Sequence, residues 1–223
     1  MSLKNLAFVT LTLFFITQIQ AQRNYQEYNR LGINGGFSLF DINTADLVTE
    51  QGNGLMAGFT TRGSFFNRFD LIYGLSFYSS NIGISGRGVS PYGGGVKQEF
   101  IEYSIQAVQL NFLGSFNVVR HHLSIEFGPI LNISGRMKLD KDAYKNHIIE
   151  GYNTLKADDI EDVSKVNARL MGGITAGLEN FRLMAQYQFG LTNMLKNLND
   201  LNLENSEFEG KSSTLVFGAV VYF

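Results

Sequence analysis

The stretch of residues 69–78, FDLIYGLSFY, decides the fold. Every odd-numbered position from Phe69 to Phe77 is large and apolar, and the positions between them carry mixed side chains such as Asp70 and Gly74. Successive side chains of a β-strand point to opposite sides, so this alternation predicts a strand with one continuous apolar face.

The same alternation recurs, so that the chain carries eight candidate strands. The other seven fall around residues 31–39, 55–62, 101–116, 123–134, 167–178, 181–192 and 214–223. Each runs to about 9–12 residues, the length that a tilted strand needs to cross a bilayer. In the segment 101–116 the apolar face changes phase between Ile105 and Val108, which predicts a β-bulge near Gln106 and Ala107.

Short and long connections alternate along the chain. The short ones are Asn67-Arg68, Arg120-His121-His122 and Glu179-Asn180; the long ones cover residues 41–53, 81–98, 135–165 and 193–211. Membrane barrels place short turns in the periplasm and long loops outside the cell. The sequence therefore predicts an all-β fold, an eight-stranded antiparallel up-and-down transmembrane β-barrel with both termini in the periplasm and an apolar band facing lipid.

The N-terminus has the features of a secretory signal peptide. Lys4 supplies the positive charge, residues 6–16 (LAFVTLTLFFI) form an apolar segment too short to span a bilayer, and Ala21 is the small residue at the expected cleavage position. We expect residues 1–21 to be a signal peptide removed after Ala21 on the Sec pathway, and residues 22–223 to form the barrel domain. The alternative is an uncleaved amphipathic helix.

Composition suits a barrel and argues against several other classes. The chain has 223 residues, with 24 Gly, 19 Phe and 10 Tyr against 2 Pro, a balance that favours β-ladders. Its formal net charge of −2 gives no electrostatic reason to expect nucleic acid. Without cysteine it has no disulfide and no Cys-based metal or thiol chemistry.

Three stretches resemble the small PorT-like outer-membrane β-barrel family. They are residues 187–193 (YQFGLTN), 128–131 (GPIL) and 220–223 (VVYF). The resemblance extends over the mature chain and implies an eight-stranded outer-membrane barrel of a Gram-negative bacterium without assigned catalytic residues; the PorT type is tied to protein secretion. The terminal Phe223 also resembles the C-terminal signal that the barrel-assembly machinery recognises.

No catalytic, cofactor or metal site is predicted. His121, His122 and His147 fall in a turn and a loop rather than on a strand face beside a nucleophile, although some outer-membrane barrels use His and Ser to modify lipid A. The acidic run 158–162 lacks the ligand spacing of a calcium loop, and the glycines of residues 83–95 lack phosphate-loop spacing. Solvated loops explain these segments better.

The sharpest hypothesis concerns charges on the polar strand faces. An eight-stranded barrel is just wide enough for side chains to fill it, and buried charges must pair. We therefore expect a carboxylate–guanidinium network that plugs the lumen, with gating of a narrow channel as the weaker alternative. Its members are Arg62, Asp70, Glu102, Glu126, Arg169, Glu179 and Arg182.

The sequence thus favours a non-enzymatic surface or structural barrel that contacts outer-membrane lipid, the barrel-assembly machinery during insertion, and a protein partner through its outer loops. A transport component, either a narrow pore or part of a secretion apparatus, is the second hypothesis. A soluble lipocalin-like carrier is the third, and inward-facing apolar residues would favour it.

Overall fold

A computed structural model describes residues 28–89 and 96–223. The predicted signal peptide and the predicted start of the mature domain at residue 22 lie outside this range. No helix in the described ranges is long and apolar enough to cross a membrane.

Ten strands and three short 3-10 helices make up the described chain. The strands are β1 (Asn29–Thr44), β2 (Thr49–Phe66), β3 (Phe69–Val89), β4 (Val96–Val119), β5 (Leu123–Ser134), β6 (Lys138–Leu139), β7 (Ile148–Ile149), β8 (Val166–Gly177), β9 (Phe181–Gly190) and β10 (Gly210–Tyr222). The 3-10 helices are Asp142–Tyr144, Ala157–Ile160 and Lys196–Asp200.

Eight of these strands close into a ring. β1 to β5 pair in sequence, β5 pairs with β8, β8 to β10 follow in sequence, and every pairing is antiparallel. β1 and β10 complete the ring along thirteen paired positions, with Phe37 opposite Phe217. The predicted eight-stranded antiparallel barrel is confirmed, and closure leaves the ring without a free strand edge.

The two faces of the strands follow the predicted alternation through most of the ring. In β5, exposed and buried residues alternate from Leu123 to Ser134, with Ile125 and Phe127 outside and Ser124 and Glu126 inside. The outer surface of this part of the barrel is therefore apolar and its interior largely polar.

Three tight connections lie at one end of the ring, here called the turn end. Asn67 and His121 take φ values of 45° and 63° there, in the left-handed region that lets a chain reverse within few residues. Residues 178–180 form the third turn, and Asn180 accepts a hydrogen bond from the backbone of Tyr222. The predicted short turns are confirmed.

At the opposite, loop end, the strands are longer than predicted. β1 to β4 have 16, 18, 21 and 24 residues. They take up most of the predicted loops 41–53 and 81–98, so that only residues 45–48 separate β1 from β2. Those two loop predictions are wrong because apolar residues in them, such as Ile42 and Ile82, point inward and extend the barrel.

The bulge predicted at Gln106 and Ala107 is absent from the β3–β4 ladder. Ser79 pairs with Gln106 and Tyr78 with Ala107 in unbroken register. Ile101, Tyr103 and Ile105 instead point into the barrel, where they are 0%, 0% and 4% exposed. The apolar side chains change face because the interior becomes apolar at this height.

Residues 135–165 and 193–209 fold over the loop end and are called the cap. Inward side chains of the long strands and buried residues of the cap form a common apolar cluster, the cap core. It comprises Phe40, Ile42, Leu47, Ile82, Ile84, Ile101, Tyr103, Ile105, Met137, Ile149, Leu155, Ala157, Ile160, Val163, Met194, Leu195, Leu198 and Phe208.

Candidate functional site in the barrel lumen

Arg62 is the centre of a charged layer near the turn end. It projects inward from β2 and is 2% exposed. Its guanidinium forms ion pairs with Asp70, at 3.2 Å, and with Glu126, and its Nε donates to Tyr222 Oη at 3.2 Å. The guanidinium also stands over the Tyr222 ring, 5.6 Å from its centroid. The alternation thus brings three of the predicted lumen charges, Arg62, Asp70 and Glu126, into contact.

Both carboxylates have further donors. Asp70 Oδ2 accepts from Tyr28 Oη at 2.6 Å and from Asn117 Nδ2 at 2.9 Å, and Glu126 Oε1 accepts from Thr175 Oγ1 at 2.8 Å. Charge-assisted hydrogen bonds of this kind offset part of the cost of removing a carboxylate from water. Sequence reasoning did not identify Tyr28 or Tyr222 as partners of these charges. The alternation along β10 could have indicated Tyr222, because it lies on the same, inward face as Val220.

Arg182 borders the charged layer, and it forms no ion pair with any residue that the structure describes. Its Nη2 donates to Ser124 Oγ at 2.9 Å and to the carbonyl of Thr175 at 3.4 Å. Ser124 also receives a weaker hydrogen bond from Arg62, at 3.4 Å.

A second polar layer, the amide layer, lies closer to the loop end. Gln109 Nε2 donates to Asn132 Oδ1 at 3.1 Å and to Gln188 Oε1 at 3.0 Å, and Gln188 Nε2 donates to Tyr78 Oη at 3.0 Å. Arg169 belongs here: its Nη1 donates to Thr214 Oγ1 at 3.1 Å and to Gln188 Oε1 at 3.4 Å. Arg169 therefore lies with amides and hydroxyls, apart from the predicted carboxylates.

Two predicted members of the network lie outside the lumen. Glu102 is exposed on the outer face of β4, because Ile101 and Tyr103 take the inward positions at that height. Glu179 is exposed in a turn, where Arg30 pairs with it and lowers the pKa of its carboxyl. The expectation that these two glutamates belong to the network is wrong.

Side chains fill the interior at every height. A small apolar group of Ile72, Leu113, Ile130 and Met171 separates the charged and amide layers. The cavities within the polar part of the lumen have volumes of about 30 and 10 Å³. Space of this size holds a few water molecules in the first and about one in the second.

The two segments of the cap, residues 135–165 and 193–209, are linked by hydrogen bonds from backbone amides to one carboxylate, here called the clamp. Glu204 accepts hydrogen bonds from the backbone amides of Asn153, Thr154 and Leu155 at 2.8, 2.6 and 3.3 Å, and from Thr154 Oγ1 at 2.9 Å. These donors stabilise the carboxylate and lower its pKa to about 2. The two segments of the cap are thereby tied to each other.

No metal site is apparent in the described ranges, where no three His, Asp or Glu side chains are grouped to hold an ion. His122 Nδ1 lies 2.8 Å from the carbonyl of Gly177, and His147 packs edge-on against Tyr144. The expectation that the chain has no catalytic site stays a prediction.

The outer face of the ring carries an apolar belt. It includes Leu31, Ile33, Phe37, Leu55, Phe59, Tyr73, Phe77, Leu110, Phe112, Ile125, Phe127, Leu131, Ile133, Leu170, Ile174, Leu183, Tyr187, Phe189, Phe217 and Val221, all exposed. Water-soluble monomers do not expose continuous apolar surface of this extent, whereas closed barrels in bilayers require it. A soluble lipocalin-like carrier is thereby excluded.

The chain is an integral β-barrel of the bacterial outer membrane. Phe65, Phe66, Phe116, Phe181 and Phe223 are exposed around the turn end, at one boundary of the belt. Membrane barrels place short turns in the periplasm and longer loops outside the cell, which predicts an extracellular cap.

No protein-family model matches the chain. No curated protein matches it either. The PorT-like assignment is therefore not confirmed.

Solved outer-membrane proteins have similar folds. The crystal structure of Neisserial surface protein A (NspA) shares 10% identity over 89% of this chain and 100% of its own, with a TM-score of 0.46. A second similar structure is that of Ail, the attachment invasion locus protein of Yersinia pestis, in complex with the heparin analogue sucrose octasulfate. It shares 14% identity over 87% of this chain and 99% of its own, with a TM-score of 0.45. OprG from Pseudomonas aeruginosa shares 11% identity over 89% of this chain and 97% of its own, with a TM-score of 0.46. At these scores, the barrel assignment rests on the closed ring and the apolar belt.

Proposed function

We propose that this protein is a non-enzymatic, non-conducting surface barrel that presents its folded cap to an extracellular partner. The observation that supports this most directly is the continuous filling of the interior, from the charged layer around Arg62 to the cap core. A pore needs a water-filled path, whereas the two cavities found in the polar part of the described interior have volumes of about 30 and 10 Å³.

The cap supports a role in surface contact. Its buried core includes Leu155, Ile160, Leu198 and Phe208, which are 0–1% exposed, so its outer surface is held in one arrangement. A preorganised surface loses less conformational entropy on binding than mobile loops do.

The alternative is a transport component. A narrow pore is disfavoured by the filled lumen, but a PorT-like member of a secretion apparatus needs no open lumen and stays compatible with this barrel. That role predicts that deletion of the gene leaves secreted cargo in the periplasm. A surface-contact role predicts normal secretion.

Conductance is the first test. We expect the purified barrel in a planar lipid bilayer to show no stepwise current, and we expect replacement of Arg62 by Ala to create at most small, unstable steps. Stable openings of the unaltered protein would refute the non-conducting proposal.

Surface exposure and processing are tested on intact cells. An amine-reactive, membrane-impermeant reagent should label the exposed cap residues Lys141 and Lys156 and leave a lysine introduced at the periplasmic turn residue Arg68 unlabelled.

We also propose export through the Sec pathway and insertion by the barrel-assembly machinery through Phe223. N-terminal sequencing of the membrane form should begin at Gln22, and removal of Phe223 should slow insertion.

A further inference from the structure

The buried lumen charges do not balance. Among residues 28–89 and 96–223, the buried ionic side chains of the barrel interior are Arg62, Arg169, Arg182, Asp70 and Glu126, so three guanidinium groups face two carboxylates. Arginine stays protonated in proteins, which means that deprotonation cannot remove the excess positive charge. An uncompensated charge in a low-dielectric interior is costly.

The excess charge is at Arg169, because Arg182 lies in the charged layer with the two carboxylates, where its guanidinium and that of Arg62 both donate to Ser124. Both lumen carboxylates pair with Arg62 in the charged layer. Arg169 lies opposite Ile130 in the β5–β8 register, four residues along β5 from Glu126, a distance of about 13 Å at 3.3 Å per residue. Its polar partners are Gln188 and Thr214, both neutral, and its guanidinium stands 5.9 Å from the Phe40 ring centroid.

Two buried donors without partners line one cavity beside Arg169. In the part of the chain that the structure describes, three buried donors have no acceptor: Arg169 Nε, Asn132 Nδ2 and Arg182 Nε. Of these residues, Arg169 and Asn132 line the cavity of about 10 Å³. Ser80, Ser134 and Thr214 add hydroxyl groups to its wall. Buried donors are almost always satisfied in folded proteins, so this pair points to an occupant that accepts hydrogen bonds.

We propose that the lumen binds one small monovalent anion, of chloride size, between Arg169 Nε and Asn132 Nδ2. An anion accepts from both donors and neutralises the excess charge in one step. A water molecule is the competing occupant, because it also accepts from the two donors and donates to Gln109 Oε1, which lines the same cavity without a partner. Water leaves the charge of Arg169 unbalanced. The cavity has room for about one water molecule, so a slight movement of the Gln109 or Asn132 amide is required to admit a halide ion.

Bromide is a direct probe of the unaltered protein. Crystals of the detergent-solubilised barrel grown with sodium bromide in place of sodium chloride should give an anomalous peak between Arg169 and Asn132 at the bromine absorption edge. Density for an ordered water without anomalous signal at that point would overturn the proposal.

Stability in solution supplies a second arm. An anion that binds only the folded barrel lowers the unfolding equilibrium constant by the factor 1 + [Cl⁻]/Kd, about 100-fold at 100 times Kd. Heat-modifiable gel mobility should therefore show a higher midpoint in chloride than in gluconate of equal ionic strength, since gluconate is too large for the cavity. Arg169→Gln should abolish this difference, and the control Arg182→Gln should keep it. Equal midpoints in both salts for the unaltered barrel would overturn the proposal.

Discussion

Replacing Arg62 by Met is the sharpest perturbation of the lumen. The guanidinium contacts side chains from five other strands: Asp70 of β3, Ser115 of β4, Glu126 of β5, Thr175 of β8 and Tyr222 of β10. Removing it leaves Asp70 and Glu126, each with an almost fully buried side chain, without the guanidinium that forms an ion pair with both of them.

The expected loss follows from that burial. Breaking a buried ion pair by removing one partner costs about 3–5 kcal/mol, because the remaining charge stays desolvated. Arg30→Met is the matched control: it removes the Arg30–Glu179 pair, whose side chains are 23% and 51% exposed, and such pairs contribute at most about 1 kcal/mol. Neutralising the two carboxylates in the background of Arg62→Met, with Asp70→Asn and Glu126→Gln, should recover most of the loss.

Urea unfolding of the barrel in lipid vesicles, followed by circular dichroism and extrapolated to zero denaturant, measures these differences. The reasoning fails if Arg62→Met costs no more than Arg30→Met. It also fails if the triple variant is as unstable as Arg62→Met, because the damage would then arise from lost packing rather than from unpaired charge.

Three further outcomes are expected. The pKa of Glu204 lies below its ordinary value, so the clamp contributes stability above about pH 4.5 that is lost as the pH falls towards 2; the protection of the Thr154 amide against hydrogen exchange, measured relative to an unstructured amide at the same pH, should fall over that range, and Glu204→Gln should remove the dependence. Leu170→Arg places a charge in the lipid-facing belt and should cost about 2–4 kcal/mol in the vesicle assay, whereas Val48→Arg, exposed between β1 and β2, should stay within about 0.5 kcal/mol. Phe208→Ala opens a cavity in the cap core and should cost about 3–5 kcal/mol of cap stability, seen as protease cleavage of the cap while the barrel still migrates as folded; an uncleaved cap would contradict it.

The membrane-spanning part of the fold is predictable because one physical rule governs it. Between Leu123 and Ser134, for example, every second side chain must contact lipid and the others fill a narrow lumen, so alternation alone assigns both faces. The short turns follow from polar residues between alternating segments. This is why the strand count and ring topology could be derived without coordinates.

Membership of the charged layer was only partly predictable. The alternation of side chains along each strand places Arg62, Asp70 and Glu126 inside. It does not give the level of each residue along the barrel axis, and that level decides which charges are in contact. Glu179 is in a turn, and Glu102 points outward because the phase change gives the inward positions to Ile101 and Tyr103, so neither glutamate reaches Arg62. Pairing register supplies the missing information: Asp70 and Ser115 are opposite one another in the β3–β4 ladder, one position above the turn end.

The cap core could not be predicted from the sequence, because the alternation of apolar residues along a strand does not state which of its two faces is inside. Within the bilayer the apolar face of a strand is the outer one; above it, water surrounds the barrel and the apolar face must be the inner one. Ile105 and Val108 differ by three positions and therefore lie on opposite faces, although both are apolar; the change of phase marks the height at which the outer medium changes from lipid to water. A phase change without a bulge is thus the sequence signature of a barrel that rises out of its membrane. The same change of face places apolar side chains inside the barrel, where they close the loop end of the lumen.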